Sequence, residues 1–68
     1  MNDKRKAIRK IYMIEVWGDS EVEVRRYARN KRTYDKIMKT YLSNGDFAVG
    51  RILWPDEFGY INSEWVEG

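Results

Sequence analysis

One helical repeat of apolar residues, framed by two strand-rich segments, limits this chain to a small α+β fold. Between Asn30 and Gly45 the apolar residues recur at i, i+3, i+4, i+7 and i+8, namely Tyr34, Ile37, Met38, Tyr41 and Leu42. This spacing draws one stripe along an α-helix. Asn30 suits the N-cap because its side-chain oxygen can accept a first-turn N–H, and Gly45 suits the left-handed residue after the helix. We expect the stripe to form the helix side of the core.

The segment before the helix has the pattern of a β-hairpin. Residues 10–17 are rich in β-branched and aromatic residues, and residues 21–24 alternate strictly between acidic and apolar. Gly18-Asp19-Ser20 between them has the chemistry of a tight turn. The two strands are therefore expected to pair in antiparallel fashion.

The segment after the helix predicts a second hairpin. Residues 46–54 form a mostly apolar strand, and Gly50 inside it indicates a bulge or a close backbone approach. Residues 55–59 contain Pro and Gly at turn positions, and residues 60–66 can form a last strand. The prediction is a single α+β domain over residues 8–68, in which a small antiparallel sheet carries one helix on a face in the order β-β-α-β-β.

Arg26 conflicts with the alternation of its strand. Strict alternation after Val24 places Arg26 beside Ala28 on the core side, where an unpaired arginine is costly to bury. A bulge near this position would turn Tyr27 inward instead. Otherwise Arg26 lies at the rim with a carboxylate such as Glu15, or it emerges from the sheet as a functional arginine.

Composition argues against catalysis. The chain has 68 residues, no Cys and no His, so a thiol nucleophile, the usual proton shuttle and a zinc site are all missing. It has no Gly-rich phosphate loop and no spacing typical of metal ligands. We expect a protein that is not an enzyme, with no cofactor and no metal. Ten aromatic residues are expected to compensate in packing for the small size.

The charges are sorted along the chain into four blocks. Residues 1–10 carry five bases and one acid, and residues 11–24 carry four acids and no base. Residues 25–43 carry seven bases and one acid, and residues 44–68 carry five acids and one base. Such blocks create a field that can orient a small domain on a charged partner. Residues 1–7 have no apolar periodicity and predict a mobile basic arm.

The third block supplies the candidate binding residues. Its bases avoid the apolar stripe, and three of them run i, i+4, i+7 along one side of the helix. A solvated helix face with i,i+4 ion pairs to Asp35 is the alternative interpretation. Trp and Arg are the residue types most common among interface hot spots. Arg51 and Trp54 of the second hairpin are therefore candidate anchors. The predicted partner-binding residues are Arg25, Arg29, Arg32, Lys36, Lys39, Arg51 and Trp54.

Two segments resemble a known family. Glu23-Val24-Arg25-Arg26-Tyr27-Ala28 before the capped helix, and the strand from Phe47 to Pro55, are similar to elements of the small phage T7 inhibitor of bacterial RNA polymerase. The resemblance covers about residues 11–55 and implies that Arg51 contacts a host protein. A second interface arginine of that family corresponds here to Leu53, so the resemblance implies a class rather than a target. Small phage anti-CRISPR proteins are similar in size and element order.

These observations predict a small non-enzymatic phage-type inhibitor or adaptor that binds a host protein or nucleoprotein with an acidic or phosphate-bearing surface. The alternative is a direct nucleic-acid-binding protein that uses the basic arm and the basic helix face. No apolar run approaches the length of about 20 residues that spans a membrane. We expect a monomer or homodimer in the cytoplasm of the host cell.

Overall fold

The computed structural model describes residues 9–66, in which four antiparallel strands form one sheet and a single helix packs on it. The strands are β1 Ile11–Trp17, β2 Val22–Ala28, β3 Phe47–Pro55 and β4 Ile61–Trp65, and helix α1 is Lys31–Ser43. The spatial order of the strands is β2-β1-β3-β4. The predicted class, a small antiparallel sheet with one helix, is confirmed. The predicted arm, residues 1–7, lies outside the described residues.

Helix α1 begins and ends where the sequence indicates. The Asn30 side-chain oxygen accepts a hydrogen bond from the Thr33 N–H at 2.8 Å, which satisfies one of the free donors of the first turn. At the other end Gly45 has φ of 86°, and its N–H donates to the Leu42 carbonyl at 3.0 Å while the Asp46 N–H donates to the Tyr41 carbonyl at 3.0 Å. This pair of bonds is a Schellman motif. No helix in residues 9–66 is long and apolar enough to cross a membrane.

Four residues of the predicted stripe pack on the sheet, and one does not. Tyr34 is buried, and Ile37, Met38 and Tyr41 are partly buried against the core cluster of Ile14, Val16 and Ala28. Leu42 is 53% exposed, so its placement in the core was wrong. Its position lies at the edge of the stripe, beyond the width of the sheet face that α1 covers.

Gly50 lets the helix approach β3. It is paired with Ile14 in the β1–β3 register without any shift, so this glycine marks a close approach and no bulge. A Cβ built on Gly50 would come within 2.6 Å of the Tyr34 ring carbon that carries the hydroxyl. The Tyr34 ring also lies 5.2 Å from the Tyr12 ring, centroid to centroid. The ring is therefore confined between a neighbouring ring and the backbone of β3. Burial, together with the nearby charge of Asp35, raises the pKa of Tyr34.

We expect Gly50→Ala to destabilise the fold by about 1–3 kcal/mol, the usual cost of overpacking a well-filled core. The Tyr34 ring must move to admit the methyl group, and Tyr12 blocks one direction. Chemical denaturation followed by circular dichroism measures the change. The same substitution in a Tyr34→Leu background should cost less, because the shorter side chain leaves room. Equal costs in the two backgrounds would contradict the proposed contact.

Arg26 lies at the rim on the helix side of the sheet. Its register partner is Ile14, and its Nη1 donates a hydrogen bond to the Tyr41 hydroxyl at 3.2 Å. The expected carboxylate partner, Glu15, points to the other face. The irregularity in the β1–β2 register lies at Val16 and Trp17, so no bulge occurs at Arg26. Tyr27 is 58% exposed and does not turn into the core.

The predicted turn between β3 and β4 is built around Asp56. The Asp56 Oδ1 accepts hydrogen bonds from the N–H groups of Phe58 at 2.8 Å and Tyr60 at 3.0 Å, and Gly59 takes φ of 89°. Desolvation alone would raise the pKa of the Asp56 carboxyl. The hydrogen bonds that the carboxylate accepts have the larger effect, so the pKa lies below its usual value. The turn fixes the register in which β4 pairs with β3.

Candidate functional site

Helix α1 covers one face of the sheet, and no described element covers the other. Alternation and the strand registers place a mostly apolar set of side chains on this uncovered side, which we call the open face: Ile11, Met13, Glu15, Trp17, Arg25, Tyr27, Phe47, Val49, Arg51, Leu53, Pro55, Ile61, Ser63 and Trp65. Tyr27, Phe47, Ile61 and Trp65 are each more than half exposed. The open face therefore exposes apolar side chains on all four strands, around a centre in which Met13 and Glu15 are buried.

A buried carboxylate lies at the centre of the open face. Glu15 is on the central strand β1 and is only 6% exposed. Its neighbour across β2 is Arg25, whose Nε lies 3.5 Å from Glu15 Oε2. Arg51 approaches from β3, and its Nε lies 3.9 Å from Glu15 Oε1. Two guanidinium groups thus flank one carboxylate, and the cluster has a net positive charge.

The charged groups of this cluster are close enough to attract one another but are not well hydrogen-bonded. Glu15 Oε1 and Arg51 Nε are both buried, and neither has a hydrogen-bond partner among the described residues. Buried polar atoms without a hydrogen-bond partner are uncommon in proteins and reduce the stability of the folded state. The Arg51 guanidinium also stacks on the Trp65 ring at 4.4 Å from its centroid, a cation–π contact that fixes its direction. The cluster is held in place at some expense to stability.

The predicted partner-binding residues do not form one surface. Arg25 and Arg51 lie on the open face beside Glu15. Arg32, Lys36 and Lys39 are exposed on α1, on the opposite side of the sheet, and Arg29 is exposed in the short connection that precedes the helix. The sheet separates the two groups. Whether either group binds a partner stays a prediction.

Trp54 does not lie beside Arg51. The two residues are three positions apart on β3, so alternation directs their side chains to opposite faces of the sheet. Lys10 Nζ lies 5.6 Å from the centroid of the Trp54 ring. This contact is at the end of the sheet near the β3–β4 turn, away from the centre of the open face.

Sequence reasoning found Arg25 and Arg51 but missed Glu15, Tyr27 and Trp65 as members of the open face. The sequence pattern suggests Glu15 only as a partner for Arg26 and Tyr27 only as a residue that a bulge would turn inward, and it does not single out Trp65. A signal was present, because β1 and β3 carry apolar residues on both of their faces while only one helix is available to cover them. Recognising the surface also requires the strand order, which places Arg25 and Arg51 on either side of Glu15.

The described residues give no indication of a metal site. Among residues 9–66, no group of three or more acidic side chains comes together in a way that could hold a metal ion. No family model, no curated protein and no solved structure matches this chain in comparisons with known proteins.

Proposed function

We propose that this chain is a small non-enzymatic inhibitor or adaptor that docks on a folded host protein through the open face. The observation that carries the proposal is the Arg25–Glu15–Arg51 cluster, set in an apolar surface that no described element covers. Trp, Tyr and Arg are the residue types that dominate interface hot spots, and the open face presents all three together.

The breadth of the open face favours a folded partner over a short peptide. Exposed apolar residues are contributed by all four strands, from Tyr27 on β2 to Ile61 and Trp65 on β4. Large exposed apolar side chains grouped on one face of a sheet are typical of an interaction site. A partner with its own apolar patch would bury these residues from both sides.

The charge of the cluster favours a partner with at least one carboxylate. Arg25 and Arg51 face Glu15 through their Nε atoms, and within residues 9–66 neither arginine forms an ion pair with another carboxylate. Two identical open faces would bring four arginines and two glutamates together, and such like-charge contacts oppose binding. A second copy of the chain is therefore the less favoured occupant.

The resemblance to the small phage T7 inhibitor of bacterial RNA polymerase supports the same surface. It implies that Arg51 contacts a host protein, and Arg51 belongs to the open face. The phage-type class rests on this resemblance alone, which implies no particular host protein. Burial and charge support the open face as the docking surface independently of the resemblance.

A pull-down from nuclease-treated bacterial lysate, in three versions, tests the proposal. Wild-type protein is expected to retain one protein partner. Tyr27→Ser/Trp65→Ser, which removes exposed aromatic area from the open face, should lose it. Arg32→Gln/Lys36→Gln/Lys39→Gln, which alters only the outer side of α1, should retain it. Retention of the partner by the open-face variant, or its loss from wild type after nuclease treatment, would overturn the proposal.

A further inference from the structure

The outer side of α1 carries a row of positive charge that the open face does not use. Arg32, Lys36 and Lys39, which we call the outer ridge, are exposed and point away from the sheet. The one acid of the helix, Asp35, pairs instead with Lys31 at 3.4 Å. No carboxylate among residues 9–66 forms an ion pair with a member of the outer ridge.

Folding does not account for this placement of charge. The N-terminal end of a helix carries a partial positive charge, which favours acids in the first turn and bases in the last. Helix α1 has no acid in its first turn and no base in its last, and Lys31 and Arg32 open it. Arg29 adds a further base just before the N-cap. Two of the four bases of the helix therefore lie at the end where they oppose its own stability, and none lies at the end that favours them, which points to a role outside the fold.

We propose that the outer ridge binds the phosphate backbone of a nucleic acid. Because an α-helix rises 1.5 Å per residue, Arg32 and Lys39 lie about 10 Å apart along the axis, with Lys36 about 6 Å from Arg32. One strand of a duplex places a phosphate about every 3.4 Å along its axis, so the ridge spans about three phosphates. Exposed Arg and Lys side chains make such contacts without reading sequence.

The sheet lies between the outer ridge and the open face. A nucleic acid on α1 and a protein on the open face would therefore not exclude one another. This arrangement makes the chain an adaptor with two binding surfaces, suited to a host protein that itself works on nucleic acid. The charges of the outer ridge are separate from the open face, so a test of nucleic-acid binding does not depend on the protein partner.

Fluorescence anisotropy with a labelled 20-base-pair DNA duplex, and separately with a single-stranded RNA of 20 nucleotides, tests this inference. Three phosphate contacts predict a slope of about −2.7 for log K against log salt on the duplex. Affinity should therefore fall about 40-fold between 50 and 200 mM KCl. Arg32→Gln/Lys36→Gln/Lys39→Gln should bind at least tenfold more weakly at 50 mM and lose most of the slope. The same variant should melt no lower than wild type.

Two matched variants serve as controls. Arg32→Lys/Lys36→Arg/Lys39→Arg keeps every charge and should bind like wild type. Tyr27→Ser/Trp65→Ser changes only the open face and should also bind nucleic acid like wild type, even where it loses the protein partner. Unchanged affinity and slope in the Gln variant would overturn the inference. Absence of wild-type binding to both probes at 50 mM KCl, or binding only to phosphatidylserine vesicles, would overturn it too.

Discussion

Replacing Ile14 by Ala is expected to unfold most of the protein at room temperature. Ile14 is fully buried on the central strand, where it contacts the helix side of the core. Truncating a buried Ile to Ala costs about 2–5 kcal/mol, through lost burial and the cavity left behind. The core of a domain this small supplies only about 3–5 kcal/mol in total. Urea denaturation followed by circular dichroism measures the loss.

Two controls accompany the Ile14→Ala experiment. Ile14→Val removes one methylene and should cost about 0.5–1.5 kcal/mol. Leu42→Ala removes a side chain of the same type from a position that is 53% exposed, so we expect a cost of less than about 1 kcal/mol. If Leu42→Ala destabilised the protein as much as Ile14→Ala, the position of α1 on the sheet would be wrong.

The elements of this fold could be predicted because their signals are local. The N-cap at Asn30, the left-handed Gly45 and the turn at residues 55–59 each depend on a few neighbouring residues. Apolar periodicity then distinguishes the helix from the strands. Leu42 shows the limit of this reasoning, since it continues the helical period but lies beyond the sheet that α1 covers.

The candidate site could not be predicted in the same way because its parts come from three strands. Glu15, Arg25 and Arg51 are brought together by the order β2-β1-β3, which no local pattern contains. The bases between residues 25 and 39 looked continuous along the chain. The reversal from β2 into α1 instead divides them between the two sides of the sheet.

Removing the charge of Glu15 is expected to destabilise the protein and to disorder the open face. In Glu15→Gln the guanidinium groups of Arg25 and Arg51 would face each other without a counter-charge. Breaking a fully buried pair costs about 3–5 kcal/mol. Here the two arginine side chains are 55% and 35% exposed, so water screens them and we expect about 1–2 kcal/mol. Urea denaturation at low and high salt measures the change, which should shrink as salt rises.

A double variant separates the structural role of the cluster from its role in docking. Glu15→Leu/Arg51→Leu removes both charges of one ion pair and leaves only Arg25, which is 55% exposed, without a carboxylate partner. Replacing an ion pair by apolar side chains is often neutral or stabilising for the fold. We expect its stability to equal or exceed that of Glu15→Gln. Binding of the protein partner should nevertheless weaken by about 30-fold, the effect of losing a hot spot of about 2 kcal/mol, because Arg51 no longer offers its terminal nitrogens. Calorimetry of the purified partner with wild type and with both variants measures this change in affinity. If the double variant is as stable as wild type and binds equally well, the arginine is not a docking residue, and the apolar residues of the open face alone account for binding.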